Sequence, residues 1–388
     1  GTLLTSFLNS RERGKDIQNI CLQCGTCNTV CGGKLDIAGM ILKLRTKFAQ
    51  EDGLNPVHKF CLDTVADRHL FHSMLRIASV AQGMITKGQP MIRHLPMFLS
   101  GLTAGRSLPS VAPQPFRDIL PTIKQDVPNP KGKIAIFTGC LLDFVYVDIA
   151  TDVVKALNMA GYIVEMPLGQ ACCGAPATYM GDVENAKKAA EMNLNAMEAE
   201  KYDYIVSACP TCTHALRDYV DFFKDDPEML KKAEELRSKT FDFCKLVSML
   251  GGLPDTGDGV PMKVTYHDSC HLNRYLGVTK EQRELLKATK GVELIEMHDC
   301  DKCCGFGGSY SVKFPEMSAP ILEEKINNIV ASGADVVAVD CPGCLLQIRG
   351  GLDARGLNNI QVKHTAQIVV EKREKKEALT LAGKVNRA

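Results

Sequence analysis

Cysteine is the residue type in this chain best placed to do chemistry: it fills 17 of 388 positions, in a sequence with no tryptophan. Cys21, Cys24, Cys27 and Cys31 follow one another in a Cys-x2-Cys-x2-Cys-x3-Cys run. Three thiolates at this spacing wrap one corner of an iron–sulfur cube in a tight loop. In ferredoxins with two clusters the fourth reaches across to the other cluster. Gly25 lets the backbone come close to the sulfides. Zinc, the competing reading, usually takes two separated cysteine pairs. Gly32 stands where a proline usually follows such a run, and the matching positions after Cys61 hold Thr64, Asp67 and Phe71. Closure of the cube therefore stays open between Cys31, Cys61 and a cysteine outside this chain, which begins at Gly1 rather than Met.

Two further cysteine sets are copies of each other. Cys140 maps onto Cys270 at an offset of 130 residues, Cys172-Cys173-Gly174 onto Cys303-Cys304-Gly305 at 131, and Cys209 and Cys212 onto Cys341 and Cys344 at 132. Around the last pairs, Asp203 through Arg217 corresponds to Asp335 through Arg349, with Pro210 over Pro342. A slowly drifting offset is what loop insertions produce in a duplicated unit. The odd cysteine total cannot pair completely as disulfides, and a chain this long buries its own cores without staples. Five thiols brought to one crevice are then metal ligands. Neighbouring cysteines seldom both reach a single ion and suit a multinuclear cluster. Gly174 and Gly305 let the backbone lie against inorganic sulfide.

The elements that must position these thiols can be read from the pattern of apolar residues. Hydrophobic content of 45% and charged content of 23% are those of a soluble protein with real cores, and the length suggests two or three domains. Lys+Arg 46 against Asp+Glu 45 leaves +1, so there is no electrostatic case for nucleic-acid binding. A ferredoxin-like domain is expected over 1–60, with a helix from Ile37 to Gln50. A helical segment and a Pro-rich linker or wrapped extended segment follow over 61–132, with Leu62, Val65, Leu70, Met74, Leu75 and Ile77 at helical spacing.

From Lys133 short β-branched runs alternate with helices, the signature of a parallel sheet wrapped by helices. Strands are expected at 134–137, 162–164 and 204–206, and again at 263–266, 292–297 and 336–339. Helices are expected at 145–160, 183–199, 213–222 and 241–250, then at 280–289, 317–331 and 345–350. The domains this predicts are 133–252 and 253–388, with a fraying Lys/Glu-rich tail after Glu371. Thr138-Gly139-Cys140, Cys172-Cys173 and Ala208-Cys209-Pro210 all fall at strand C-termini, where open α/β sheets bind ligands. No signal-peptide layout is present, and the Met97–Leu102 apolar run is far short of the ~20 residues a membrane helix requires. A reducing cytosol suits the thiols, with membrane association left to a partner.

Duplicated Cys-Cys-Gly motifs resemble the cysteine-rich (CCG) domains of heterodisulfide reductase and of the iron–sulfur subunits of glycolate, lactate and anaerobic glycerol-3-phosphate dehydrogenases. Residues 303–313, the segment Tyr266-His267-Asp268-Ser269-Cys270-His271 and the helix opening Phe314-Pro315-Glu316 look most like the lactate-utilisation subunits. The Cys21–Cys31 run leading into Lys34-Leu35-Asp36-Ile37, and Arg117-Asp118-Ile119-Leu120-Pro121 further on, are similar to the ferredoxin end of their partner subunit. The resemblance implies two α/β CCG domains behind a small helical ferredoxin-like domain. It implies one cubane [4Fe–4S] cluster at Cys21, Cys24, Cys27 and Cys31. Up to two more clusters, non-cubane as in the reductase, would sit on Cys140, Cys172, Cys173, Cys209 and Cys212, and on Cys270, Cys303, Cys304, Cys341 and Cys344. It also implies a flavin-containing dehydrogenase partner and an electron acceptor, either a protein or a quinone.

The remaining candidates weigh less. Cys61 and Cys300 are candidate extra ligands, and Cys244 reads as a core thiol, with Ala366 in its place in the second copy. His267 and His271 flank Cys270 and could tune a cluster by hydrogen bonding, though surface or packing roles are favoured. Gly305-x-Gly307-Gly308 lacks the rest of a dinucleotide fingerprint. Glu323-Glu324 reads as a solvated pair, and no constellation for deprotonating a hydroxy acid is visible. The expected function is electron transfer within a lactate-type oxidoreductase complex. The alternative is a heterodisulfide or thiol reductase acting through a non-cubane cluster. Metal analysis of the purified chain is expected to give iron with acid-labile sulfide; zinc without sulfide would overturn both.

Overall fold

The computed structural model describes residues 9–86, 91–92, 107–253 and 257–385. Two four-stranded sheets dominate it. In the first, β1 (Gly132–Ile136), β2 (Tyr162–Glu165), β3 (Tyr204–Ser207) and β4 (Thr240–Asp242) lie side by side in the order β2-β1-β3-β4. In the second, β5 (Gly257–Tyr266), β6 (Lys290–Leu294), β7 (Val336–Ala338) and β8 (Gln361–Lys363) lie in the order β6-β5-β7-β8. All pairings in both are parallel, and the topology is the same in each. Even the register repeats: Ile134 lies opposite Val164 and Tyr204, and Val264 opposite Leu294 and Val336. The duplication read from the cysteines is thus a duplication of the whole α/β unit.

The central strands are apolar runs such as Ile134-Ala135-Ile136 and Val336-Val337-Ala338, as parallel strands covered on both faces require. One continuous cluster of buried side chains takes in residues of both units, from Phe116 and Ile134 to Val369 and Val370.

Several element bounds differ from the sequence reading. Each sheet gains a fourth, three-residue edge strand, β4 and β8, too short to show an apolar alternation. The Cys244 helix accordingly shrinks to Phe243–Met249, capped by the Asp242 side chain, which accepts from Cys244 N at 2.9 Å. The helices after β3 and β7 start earlier than expected, at Pro210 and Pro342, because proline suits the first helical position, where no N–H is required. The former ends at Asp218, with a 3₁₀ turn over Tyr219–Phe222. In place of a fraying tail, a helix runs from Thr365 to Val385. It is pinned by Lys372, which is 1% exposed and pairs with Asp258 at 2.9 Å, and it packs along the first unit's helix Val147–Met159.

Ahead of the sheets stands a helical layer: Arg11–Asn19, Thr26–Val30, Ile37–Asp52, Pro56–Ala66 and Arg68–Thr86. Arg45 ties it to the first unit. Its guanidinium donates to the carbonyl oxygens of Gln18 (2.6 Å), Cys21 (2.7 Å) and Tyr179 (2.9 Å). The expected apolar face of the Arg68–Thr86 helix is covered only in part: Leu75 is half-buried, with Phe71 and His72, while Leu70, Met74 and Ile77 are exposed. His72 packs against the Phe144 ring at 5.0 Å. The remainder of the apolar stretch expected up to 105 lies almost wholly outside the described residues. Among the described residues no helix is long and apolar enough to cross a membrane.

The proline-rich stretch wraps the first unit. Phe116 is fully buried in the core, and beside it Arg117 donates to the fully buried carboxylate of Asp143, from Nε to Oδ2 at 2.7 Å and from its backbone N–H to Oδ1 at 3.0 Å. Removing one partner of such a pair strands a charge in the interior. Arg117→Ala is therefore expected to destabilise the chain by about 3–5 kcal/mol, seen as an earlier chemical-denaturation midpoint. An unchanged midpoint would show that Asp143 does not depend on Arg117.

Candidate metal centre

Each repeated cysteine set sits just past the C-terminal ends of three parallel strands. Cys140 follows β1, Cys172 and Cys173 lie in the loop after β2, and Cys209 follows β3; Cys270, Cys303, Cys304 and Cys341 take the same places after β5, β6 and β7. Cys209 and Cys341 are the N-caps of the helices that begin Pro210 and Pro342, which places Cys212 and Cys344 in the first turn of each. Gly174 and Gly305 hold left-handed backbone (φ 78° and 82°) as each chain turns from the cysteine pair into the following segment. A Cβ on Gly305 would come 2.8 Å from the Ser318 carbonyl oxygen, so only glycine lets the loop lie this close to the next helix.

The two sets, expected in separate crevices, share one. A cavity of about 760 Å³ is lined by all ten of these cysteines, and by Cys21 and Cys24. Thiol contacts run Cys140–Cys172–Cys173–Cys212–Cys209 through the first set and Cys270–Cys303–Cys304–Cys344–Cys341 through the second, and Cys209 meets Cys341 where the sets join. Proton sharing along this row pulls neighbours apart. Hydrogen bonds from Cys172 and Cys212 bring the Cys173 thiol down to about 6. Bonds from Cys270 and Cys304 hold Cys303 well below an ordinary thiol. Cys140 and Cys270 are driven well up, first by the bonds they donate to Cys172 and Cys303 and then by burial. A row of buried sulfurs can all ionise only around a cationic group, because an uncompensated charge in the interior is costly.

The backbone at the cysteine pairs is held from outside the cavity. In the first set Asn193 donates to the Cys172 carbonyl at 2.9 Å and the Tyr219 hydroxyl to that of Cys173 at 3.0 Å. In the second the Gly305 N–H points at Cys303 Sγ at 3.4 Å, and the Ser318 hydroxyl donates to the Gly305 carbonyl at 2.8 Å.

The N-terminal run forms a loop over this cavity, and the second unit supports it. A π-helical turn, His271–Tyr275, lies beneath: the Tyr275 hydroxyl donates to Gln23 O at 3.1 Å, and Arg274 to Cys24 O at 3.4 Å. Cys21 and Cys24 face the cavity, while Cys27 and Cys31 are not part of its lining. Backbone N–H groups of Leu35 and Gly33 aimed at Cys31 lower its thiol.

Of the residues given less weight, Cys61 is exposed on the Pro56–Ala66 helix, and Cys244 is buried with its thiol donating to Asp340 at 3.6 Å. Cys300 lies off the cavity, where burial and the neighbouring Asp268 push it up to about 11 and Arg283 Nη2 approaches its sulfur at 3.6 Å. His271 is a wall residue, bound through Nε2 to the Tyr179 hydroxyl at 2.8 Å and stacked on Tyr275. His267 is fully buried, which excludes the surface role and not the packing role, and a nitrogen of its ring lies within 4.8 Å of the sulfurs of Cys304 and Cys344. Tyr179, Thr211 and Phe306 are also on the wall; Thr211 and Phe306 lie in segments the sequence singled out, 203–217 and 303–313, and Tyr179 does not.

Comparison with known proteins recovers the duplication. The Cysteine-rich domain family, CCG, matches residues 134–217 and 264–349, one copy on each sheet. Lactate utilization protein A from Shouchella clausii is 39% identical over 240 residues, covering 62% of this chain and 99% of that protein. A probable glycolate oxidase iron-sulfur subunit from Bacillus subtilis is 30% identical over 375 residues, covering 93% of this chain and 84% of that protein. Among solved structures, a hypothetical protein from Helicobacter pylori overlays at a TM-score of 0.45 and 10% identity, across 86% of this chain and 67% of its own, too loosely to bear on the argument. With such relatives matched along 84% to 99% of their length, and with the cysteine-rich domain present twice, this chain belongs to the family of lactate utilization protein A and the probable glycolate oxidase iron-sulfur subunit.

Proposed function

We propose that this chain is the iron–sulfur electron-transfer subunit of a multi-subunit oxidoreductase that oxidises lactate or another 2-hydroxyacid. The observation that carries the reading is the single cavity lined by ten paired-up cysteines, with two more from the N-terminal loop on its wall. The names of the relatives, one for lactate utilisation and one for an iron–sulfur subunit, support it.

In this reading Cys21, Cys24, Cys27 and Cys31 hold a cubane [4Fe–4S] cluster. Cys140, Cys172, Cys173, Cys209 and Cys212 hold a second cluster, and Cys270, Cys303, Cys304, Cys341 and Cys344 a third. The donors fit: they are soft thiols, the class that selects iron–sulfur clusters over hard cations. Cys61 and Cys300 lie away from the cavity and are left out of the assignment. When bound, the clusters supply one-electron transfer at potentials set by hydrogen bonds to sulfur, charge and exposure. The chain itself fixes the thiols at strand ends, keeps the N-terminal loop in place through Arg45 and Tyr275, and buries eight of the ten repeated cysteines, all but Cys140 and Cys303. The domains are then the ferredoxin-like 1–60, the connecting 61–132 and the two CCG units at 133–252 and 253–388. Electrons come from a dehydrogenase subunit carrying flavin and leave to a protein or quinone acceptor. The compartment is the cytoplasm, with any contact to a membrane made through a partner.

One observation favours a second reading, a heterodisulfide or thiol reductase. The cavity is lined beyond the thiols by Phe48, Leu54, His58 and Lys313, room in which a small substrate could sit. Two measurements separate the readings. Cys173→Ser and Cys304→Ser are each expected to remove one distinct low-temperature magnetic-resonance signal and to spare the N-terminal cluster; a variant that leaves every signal unchanged would refute the two-site assignment. The reduced chain alone is expected not to turn over a small disulfide, and turnover without a partner would move the assignment to the reductase.

A further inference from the structure

The two repeated cysteine sets are alike in sequence but not in what faces them. At the end of β5, His267 is fully buried, and its backbone N–H is fixed to the Ala338 carbonyl oxygen at 3.0 Å. Neither ring nitrogen has a hydrogen-bond partner among the described residues. Such an orphaned donor is destabilising, and in a native protein it points to a group that satisfies it in the working state. A ring nitrogen lies within 4.8 Å of both Cys304 Sγ and Cys344 Sγ. The register that places Cys140 over Cys270 puts buried Phe137, which cannot donate, at the same place in the first unit.

Several other polar groups around the second set are engaged elsewhere. His271 is bound to Tyr179 and Thr211. Lys325 donates to the carbonyl oxygens of Asp299 (2.5 Å) and Cys300 (3.3 Å). Asp340 accepts from the Tyr266 hydroxyl (2.6 Å) and the Thr365 N–H (3.2 Å). Among the described residues, the His267 ring and the Ser269 hydroxyl both lie beside the second set with no hydrogen-bond partner, and it is His267 that brings a ring nitrogen within 4.8 Å of the Cys304 and Cys344 sulfurs.

We propose that His267 donates a ring N–H to the sulfur ligands of the cluster on Cys270, Cys303, Cys304, Cys341 and Cys344, and thereby makes the two repeated sites unequal in reduction potential. The proposal rests on the assignment of both cysteine sets as cluster sites. A hydrogen bond to a thiolate is strongest when the cluster carries its extra electron, so the donor favours the reduced state and raises the potential of the second site. The first site, facing phenylalanine, lacks this stabilisation. Electrons that reach the pair then settle on the second unit.

The test is a redox titration of the full chain, followed by low-temperature magnetic resonance together with iron and sulfide content. Cys304→Ser first identifies the second-site signal; if no signal is lost, the cluster assignment itself fails before His267 is tested. His267→Phe, copying the first unit, is expected to keep full iron and sulfide and to shift the second-site midpoint downward while leaving the first in place. His267→Asn retains an N–H and is expected to recover part of that shift. Unchanged midpoints at full iron content would overturn the proposal. So would loss of one cluster's iron in both variants, which would make the histidine a ligand or a structural prop.

Discussion

Sulfur crowding is the constraint on which this molecule is organised. Ten cysteine side chains meet in one largely buried cavity, in a row through which each thiol touches the next. Left as thiols they share protons unequally; as thiolates they would repel one another in a medium that screens poorly. The surroundings answer this largely by holding the backbone, with the buried ammonium of Lys325 beside the second set. Parallel strands deliver the cysteines from one edge, prolines at helix starts place the Cys-x-x-Cys pairs, and Asn193, Tyr219 and Ser318 fasten the carbonyl groups of the adjacent turns. A frame this rigid before loading keeps the reorganisation on gaining or losing an electron small.

How much of this could be read from the sequence depended on whether the signal was local. The cysteine spacings and the drifting offset located both repeats, and the β-branched runs located six of the eight sheet strands, because a strand buried on both faces leaves an apolar run. The edge strands β4 and β8, with one apolar residue apiece in Thr240-Phe241-Asp242 and Gln361-Val362-Lys363, left none. Which apolar positions of the Arg68–Thr86 helix are covered depends on tertiary contacts such as His72 against Phe144, which spacing along the chain does not carry. The merging of two crevices into one cavity was equally out of reach, since it depends on how the sheets face each other. His267 illustrates the same boundary. Its position beside Cys270 was visible, but its burial without a partner was not.

Duplication gives the molecule two copies of a site, and divergence then gives them different surroundings. The close approach of Gly174 to Ala186 and of Gly305 to Ser318 sets the alignment of the helices that follow, and it places Asn193 opposite Lys325. An amide that braces a cysteine carbonyl in one unit has become a buried ammonium that braces a neighbouring loop in the other. Backbone support is preserved while charge and donors change, which is how a repeat acquires direction without altering its fold.

The helix Thr365–Val385 lies against Val147–Met159 of the first unit, and Cys209 touches Cys341 across the junction. Neither contact exists while only the first unit has been synthesised. Each unit brings five of the ten repeated cysteines to the cavity, so the site is complete only once both units have been synthesised. Until then the first unit's half of the sulfurs lies uncovered, and its exposure to oxidation is greatest during synthesis rather than in the folded protein.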